Sequence, residues 1–207
     1  TVANHLSKSA ELIKTLKSYE TEDISKLMGL SSNLAFLNFE RYQSWKKPTK
    51  PSADARQAVF AFQGDVYQGL EAATMKKGDL KFAQKHLRIL SGLYGVLKPL
   101  DLMAPYRLEM GTKLATKKHD DLYGFWKDTL TADINEQLAE QKDSTLINLA
   151  SNEYFNALNK KDIAGDIVSP VFKDFKNGDY KIISFFAKKA RGMMARYIID
   201  NKVTNPD

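Results

Sequence analysis

The chain of 207 residues carries 31 Lys and Arg against 25 Asp and Glu, a formal net charge of +6, and 43% of it is apolar, enough for one sizeable core. With no cysteine, neither a disulfide framework nor a thiolate metal site can form, which fits a reducing cytosol, and no apolar run approaches the roughly 20 residues of a membrane span. The expectation is a cytoplasmic, monomeric, single-domain protein over residues 1–207, in which a helical N-terminal region, residues 1–47, packs on an α/β region, residues 55–207.

From Thr1 to Ser18 the residues Leu6, Ala10, Leu12, Ile13 and Leu16 recur with a period near 3.6, which predicts an amphipathic helix. Thr21-Glu22-Asp23 suit the start of a second helix. Ile24, Leu27 and Met28 share one face of it, and Gly29 ends it, because glycine takes the left-handed conformation cheaply. Ser31 or Ser32 can cap a third helix whose apolar face is Ala35, Phe36, Phe39 and Tyr42. The unit Asp23–Trp45 resembles a helix-hairpin-helix, a module that grips one DNA strand without reading sequence. Amides left unpaired at the turn and at the next helix N-terminus point at a phosphate, and the helix dipole favours the anion there. Gly29 and Ser31 would form that turn, with Lys26, Lys46 and Lys47 adding positive charge. Any two antiparallel helices joined by a glycine turn look the same in sequence.

Lys47–Ser52 reads as a loop and Ala58–Phe62 as a short buried strand. Val66–Ala73 and Asp79–His86 read as helices. A strand over Leu87–Ser91 then runs into Ser91-Gly92-Leu93-Tyr94-Gly95, too punctuated by glycine for a helix to continue. Lys98-Pro99 and Ala104-Pro105 hold the following chain extended, with Asp101, Tyr106, Arg107 and Glu109 between and just beyond them. Thr112–Lys118 reads as a strand bearing Leu114. Phe125–Gln141 is a helix by the spacing of Trp126, Leu130, Ile134 and Leu138. Thr145–Ala150 is a strand, and Ser151 or Asn152 caps a helix start directly after it. Asn177-Gly178 joins Ile167–Phe175 to Tyr180–Phe186 as a β-hairpin, and Ala187–Asn201 is the last helix. The class is mixed α/β: a central, mainly β, sheet flanked by helices, with the helix-hairpin-helix-like unit at the N-terminal end. Open α/β folds bind ligands where strands end in glycine turns. If Phe62-Gln63-Gly64-Asp65, Ser91-Gly92 and Ala150-Ser151-Asn152 leave the sheet at one edge, they converge there.

The stretch Arg88–Gly111, RILSGLYGVLKPLDLMAPYRLEMG, resembles the signature of the YaaA family of bacterial peroxide-stress proteins. AFQGDVYQGL at Ala61–Leu70, INLASNEYF at Ile147–Phe155 and KIISFFAKKARGMMARYII at Lys181–Ile199 resemble it too, in the family's order. One departure stands at the start: family members open with a short apolar strand and a lysine-bearing SPAKT-like segment, and this chain begins at Thr1 without it. A C-terminal piece is expected to be missing as well. The resemblance implies DNA binding and a role in the peroxide response. It also brings a connection to iron, but His5, His86 and His119 have no metal-ligand spacing, so no metal or cofactor is expected.

Basic pairs occur at Lys46-Lys47, Lys76-Lys77, Lys117-Lys118 and Lys160-Lys161, with Lys188-Lys189-Ala190-Arg191 near the end. They either steer an anionic polymer or simply keep the surface soluble. On the last helix Lys188, Lys189, Arg191 and Arg196 fall within one arc, with Ala190, Met194, Tyr197 and Ile198 opposite, facing the expected core. That stripe reads equally as a phosphate surface and as an ordinary solvated face. Gly192, in mid-helix, points to close approach by another backbone or a ligand.

Three function classes remain open, one of them a non-enzymatic factor that limits free iron through protein partners, which rests on the family resemblance alone. In the first of the others, the chain binds double-stranded DNA, bent or distorted DNA included, mainly through phosphates, with the hairpin at Gly29–Ser31, the Lys46-Lys47 pair and the Lys188–Arg196 helix lining one basic cleft. The contacts would be Lys26, Gly29, Ser31, Lys46, Lys47, Lys188, Lys189, Arg191 and Arg196. In the second, it is an enzyme acting on a nucleotide or nucleobase. Ser91, Gly92, Tyr94, Gly95 and Arg107 would form the phosphate turn, and Asp65, Glu109 or Glu153 would serve as acid or base. Arg-carboxylate pairs that only hold loops together explain the same carboxylates, Asp101 included.

Overall fold

Three helices, closed by local hydrogen bonds, open the computed structural model, which describes residues 1–206. Helix α1 (Leu6–Leu16) buries Leu6, Leu12, Ile13 and Leu16 along one stripe. Helix α2 (Thr21–Met28) starts where the Asp23 carboxylate accepts the Glu20 N–H at 3.0 Å, and it stops at Gly29, whose φ of 62° is left-handed. The Ser25 hydroxyl donates to the Leu30 carbonyl at 2.7 Å and tightens the turn. Helix α3 (Ser32–Ser44) comes next, and the stripe it buries is Ala35, Asn38 and Tyr42. Phe36, expected inside, is 53% exposed. The Tyr42 hydroxyl donates to the Arg107 carbonyl, and that tether turns the 35/38/42 stripe inward.

The apolar run at 58–62, read as a strand, instead forms the short helix α4 (Ala58–Ala61). A buried run of this length has no periodicity to tell strand from helix. Here the Ala58 and Val59 amides are taken by the carbonyls of Asp101 and Pro99, at 2.8 and 2.9 Å, as in a helix start fed by a neighbouring turn. Only β1 (Arg56–Gln57), just before it, is extended, and it pairs antiparallel with β4 (Leu102–Met103). Helices α5 (Asp65–Leu70) and α6 (Lys77–His86) lead to a hairpin of β2 (Ile89–Ser91) and β3 (Gly95–Leu97). Helix α7 (Leu122–Ala139) begins where the Asp121 carboxylate accepts the Gly124 N–H at 2.8 Å. The segment 112–118, read as a strand, is irregular, though Leu114 is fully buried. Its Thr116 amide closes a local turn on the His119 carbonyl at 2.8 Å instead of joining a ladder.

The parallel pair β5 (Thr145–Ile147) and β6 (Asp166–Val168) encloses the short α8 (Asn152–Phe155) in its crossover. Then β7 (Asp174–Lys176) and β8 (Asp179–Lys181) form a hairpin at the expected turn, with Asn177 at φ 56° and Gly178 at φ 80°, but its arms are shorter than read, because residues 167–168 pair with β5 and residues 184–186 already belong to the last helix. Helix α9 (Ser184–Asp200) closes the chain. The fold is mixed helix and strand, small sheets flanked by helices. The strands pair two by two: β1 with β4, β2 with β3, β5 with β6, β7 with β8.

The main core gathers α1, α3, the β2–β3 hairpin, the 102–114 segment and α7, with Trp126 fully buried at its centre. A smaller core of Val59, Leu70, Met75, Ala83 and Ile199 ties α9 to α5 and α6. On α9 the sequence pattern points Ala190, Met194, Tyr197 and Ile198 inward. The helix is instead rotated so that Ala187, Gly192 and Ile199 are buried, while Tyr197 is 61% exposed. The rotation comes from a close helix crossing. Any side chain on Gly69 would strike the Lys189 carbonyl, and any on Gly192 the Val66 carbonyl. Among the described residues no helix is long and apolar enough to cross a membrane.

Candidate functional site

The glycine turn at 91–95 is buried, not open. Ser91, Leu93 and Tyr94 have no exposed surface. A side chain on Gly92 would run into the Leu108 carbonyl, and one on Gly95, at φ 73°, would lie 2.7 Å from the Trp126 ring. The Trp126 indole N–H donates to the Gly92 carbonyl at 2.8 Å. The Tyr94 hydroxyl accepts the Trp45 N–H at 3.0 Å and the Ala104 N–H at 2.9 Å. The glycines therefore serve tight packing, Gly92 against the Leu108 backbone and Gly95 against the Trp126 indole. As an open phosphate cradle of Ser91, Gly92, Tyr94 and Gly95, the turn is corrected by its burial.

One group of the turn does reach toward a neighbouring surface. The Ser91 hydroxyl accepts the Tyr94 N–H at 2.9 Å and is bonded to the Tyr106 hydroxyl at 2.6 Å. Tyr106 meets Phe62 edge to face at 6.3 Å, and Phe62 stacks on Tyr67 at 5.2 Å. Tyr154, on α8, lies near enough to both Tyr67 and Tyr106 to act on their phenols electrostatically. Phe62, Tyr67, Tyr106 and Tyr154 thus meet in a wall of half-buried rings contributed by separate elements, but not as strand ends leaving one sheet edge, because residues 58–61 are helical and the strands pair in separate two-stranded sheets. Burial pushes every phenol of the wall up: Tyr67 and Tyr106 well above the usual tyrosine range, and Tyr154 to about 12. All three are neutral hydroxyls at physiological pH.

Two of the candidate carboxylates border this wall. Glu153 accepts the Gly111 N–H at 2.8 Å, and Glu109 pairs with Arg107 at 2.9 Å with both side chains about half exposed. Both carboxylates bear on the Tyr154 phenol. Asp65 begins α5 on the neighbouring element. Asp101 is buried and structural: it accepts the Lys98 N–H at 2.8 Å and the Thr1 hydroxyl at 2.5 Å. Sequence reasoning misses Tyr67 and Tyr154, because no spacing links tyrosines so far apart along the chain. The only available signal is that each lies in one of the segments carrying the family resemblance.

The cations fall into two groups. Lys26, Lys46 and Lys47 are around the α2–α3 unit, Lys46 and Lys47 exposed beyond its end, with Gly29 and Ser31 open to solvent at its turn. Lys188 and Lys189 lie exposed on α9, and Arg191, on the same helix, is half-buried. Among the described residues none of these six cations is in an ion pair. Arg196 differs. It makes a two-pronged bond to Asp200 at 2.8 Å and donates to Thr74 at 2.6 Å and the Glu71 carbonyl at 3.1 Å, so it fastens α9 to the end of α5. Helix α9 packs on α5 and α6, whereas α3 packs on α1 and α2, so the two groups ride on different supports. The histidines are taken up in packing: His5 pairs with Asp133, His86 stacks on Phe82, and His119 meets Phe125 edge-on.

The sequence model of a family described as peroxide stress protein YaaA matches residues 1–207. A UPF0246 protein of Teredinibacter turnerae is 55% identical over 207 residues, spanning all of this chain and 80% of that protein. One of Saccharophagus degradans is 56% identical over 204 residues, 99% of this chain and 79% of its own length. One of Shewanella woodyi is 57% identical over 197 residues, 95% and 77% of the two chains.

Proposed function

The chain belongs to the peroxide stress protein YaaA family, and from that premise we propose that it serves in the peroxide response by binding DNA through its phosphates. The observation that carries the reading is the set of cations that have no acidic partner among the described residues, Lys26, Lys46 and Lys47 around the α2–α3 unit and Lys188, Lys189 and Arg191 on α9. Lysines of this kind hold no ion pair whose loss would explain them, and they suit contact with a polyanion. Helix α3, at 13 residues, presents its N-terminal amides beside the exposed Gly29 and Ser31, where the dipole favours a phosphate. Contacts of this type position a protein on duplex DNA without reading bases. Each phosphate neutralised releases counterions, so affinity falls steeply with salt.

The test is duplex binding measured by anisotropy at about 50 and about 300 mM salt, with Lys188→Glu, Arg191→Glu as the variant. A steep salt dependence, with loss of binding in the variant, is expected. Equal retention at both salts, or an unchanged variant, overturns the reading.

The convergence of Tyr67, Tyr106 and Tyr154 with Arg107, Glu109 and Glu153 favours a second reading, an enzyme acting on a nucleotide or nucleobase. The tyrosines would stack and hydrogen-bond the base, and a carboxylate would move the proton. Saturable binding of a free nucleotide, abolished by Tyr106→Ala, would favour it over the first.

A further inference from the structure

The β7–β8 hairpin and the first turns of α9 leave open more aromatic surface than packing accounts for. Phe175 and Tyr180 face each other directly across the two strands, with ring centres 5.3 Å apart, yet they are 66% and 65% exposed. Phe185 and Phe186, at the start of α9, are exposed too and meet at 5.6 Å. Both pairs touch edge to face, an arrangement that leaves flat ring surfaces available for stacking. Between the hairpin and α9 lies a recess of about 420 Å³ lined by Phe172, Phe186 and Met193 together with Lys173, Asp174 and Lys189. That volume lies within the roughly 300–1,000 Å³ of small-ligand pockets.

The charge around these rings is one-sided. Residues 171–193 include six Lys and Arg against two Asp. The strand register sets Asp174 opposite Lys181 and Asp179 opposite Lys176, so each acid has a cation across the ladder. Lys173, Lys188, Lys189 and Arg191 are the surplus. Among the described residues none of them is in an ion pair.

We propose that this surface binds single-stranded nucleic acid, with unpaired bases stacked on Phe175, Tyr180 and Phe186 and the backbone held by Lys173, Lys188 and Lys189. Flat aromatic faces reach only bases already outside a duplex, and interleaved cations track the phosphates between them. The proposal deepens the DNA-binding reading and shares its α9 cations, but it rests on rings that a duplex-only protein has no use for.

The experiment compares a labelled oligothymidine strand of about 20 nucleotides with a duplex of equal length, by anisotropy, for the intact chain and for Phe175→Ala, Tyr180→Ala. Both rings lie outside the cores, and circular dichroism checks that the variant folds. The expected result is that the intact chain binds the single strand and the variant loses about tenfold or more of that affinity while duplex affinity changes little. A second variant, Tyr180→Trp, keeps a stacking ring and is expected to retain the affinity, with its own emission quenched on binding. Single-strand affinity unchanged in the double alanine variant overturns the proposal, as does a chain that binds duplex alone, which would leave the phosphate reading standing. Failure to bind either nucleic acid overturns both. A chain that sediments as a dimer, turns monomeric in the alanine variant and ignores the single strand shows the rings to be a self-association surface, and also overturns it.

Discussion

The α-carbon of Gly192 on α9 sits so close to the carbonyl oxygen of Val66 on α5 that no side chain can be added between them, and Gly69 stands in the same relation to the Lys189 carbonyl. Two glycines thereby let the two backbones cross in direct contact. In an open helix Gly→Ala stabilises by about 1 kcal/mol. Here Gly192→Ala is expected to destabilise by about 1–3 kcal/mol, since a crowded backbone must move. Urea unfolding decides by sign alone, and a stabilised variant would sink the crossing.

Trp126→Phe should be more harmful than Trp45→Phe. The first leaves the Gly92 carbonyl without its donor at the centre of the main core, an expected loss of about 2–4 kcal/mol. The second removes one bond from Tyr94, whose hydroxyl still has the Ala104 amide, and is expected to lose about 1 kcal/mol less. Urea midpoints measured by circular dichroism give the order, and the reverse order would be incompatible with these bonds.

Arg196 and Lys188, two cations of one helix, should behave oppositely. Arg196→Ala removes the link from α9 to Thr74 and the Glu71 carbonyl, with an expected loss of about 1–2 kcal/mol in stability. Lys188→Ala should stay within about 0.5 kcal/mol of the parent yet weaken DNA binding and lower its salt slope by about one. Thermal melts and binding isotherms on the same two samples separate the roles.

Stability should fall on the alkaline side. Burial holds the Tyr94 and Tyr154 phenols at about 12, while an unfolded tyrosine releases its proton near 10. Between those values the unfolded chain binds fewer protons than the folded one, so stability declines as pH rises through the interval. Below pH 10 the contribution is fully present and flat. Urea midpoints at pH 8, 10 and 11, with phenolate absorbance alongside, should show a plateau and then a fall. A midpoint that climbs from pH 10 to 11 rules the burial out.

Helices and turns with strong local punctuation are legible in the sequence. Gly29 ends α2, Asn177-Gly178 makes the hairpin, and the Trp126–Leu138 spacing locates α7, because in each case a few adjacent residues suffice. The pattern misleads where distant partners decide. Residues 58–62 begin a helix because carbonyls at 99 and 101 take their amides. Helix α9 turns a different face inward because two glycines admit another helix. The turn at 91–95 looks like an open loop, since its glycines advertise conformational freedom but do not say that the Leu108 backbone and the Trp126 ring fill the space beside them. The tyrosine wall joins residues from 62 to 154, and no local pattern encodes such a meeting.

Both indoles of the protein, Trp45 and Trp126, donate their N–H to the same buried loop, one to Tyr94 and the other to Gly92. Intrinsic tryptophan emission is consequently a local probe: it reports the integrity of the main core and is silent about α9 and the hairpin before it. Any loosening of that C-terminal lobe would pass unseen in a fluorescence melt and would surface only in hydrogen exchange or proteolysis, so a single sharp optical transition says nothing about how many steps the chain takes to come apart.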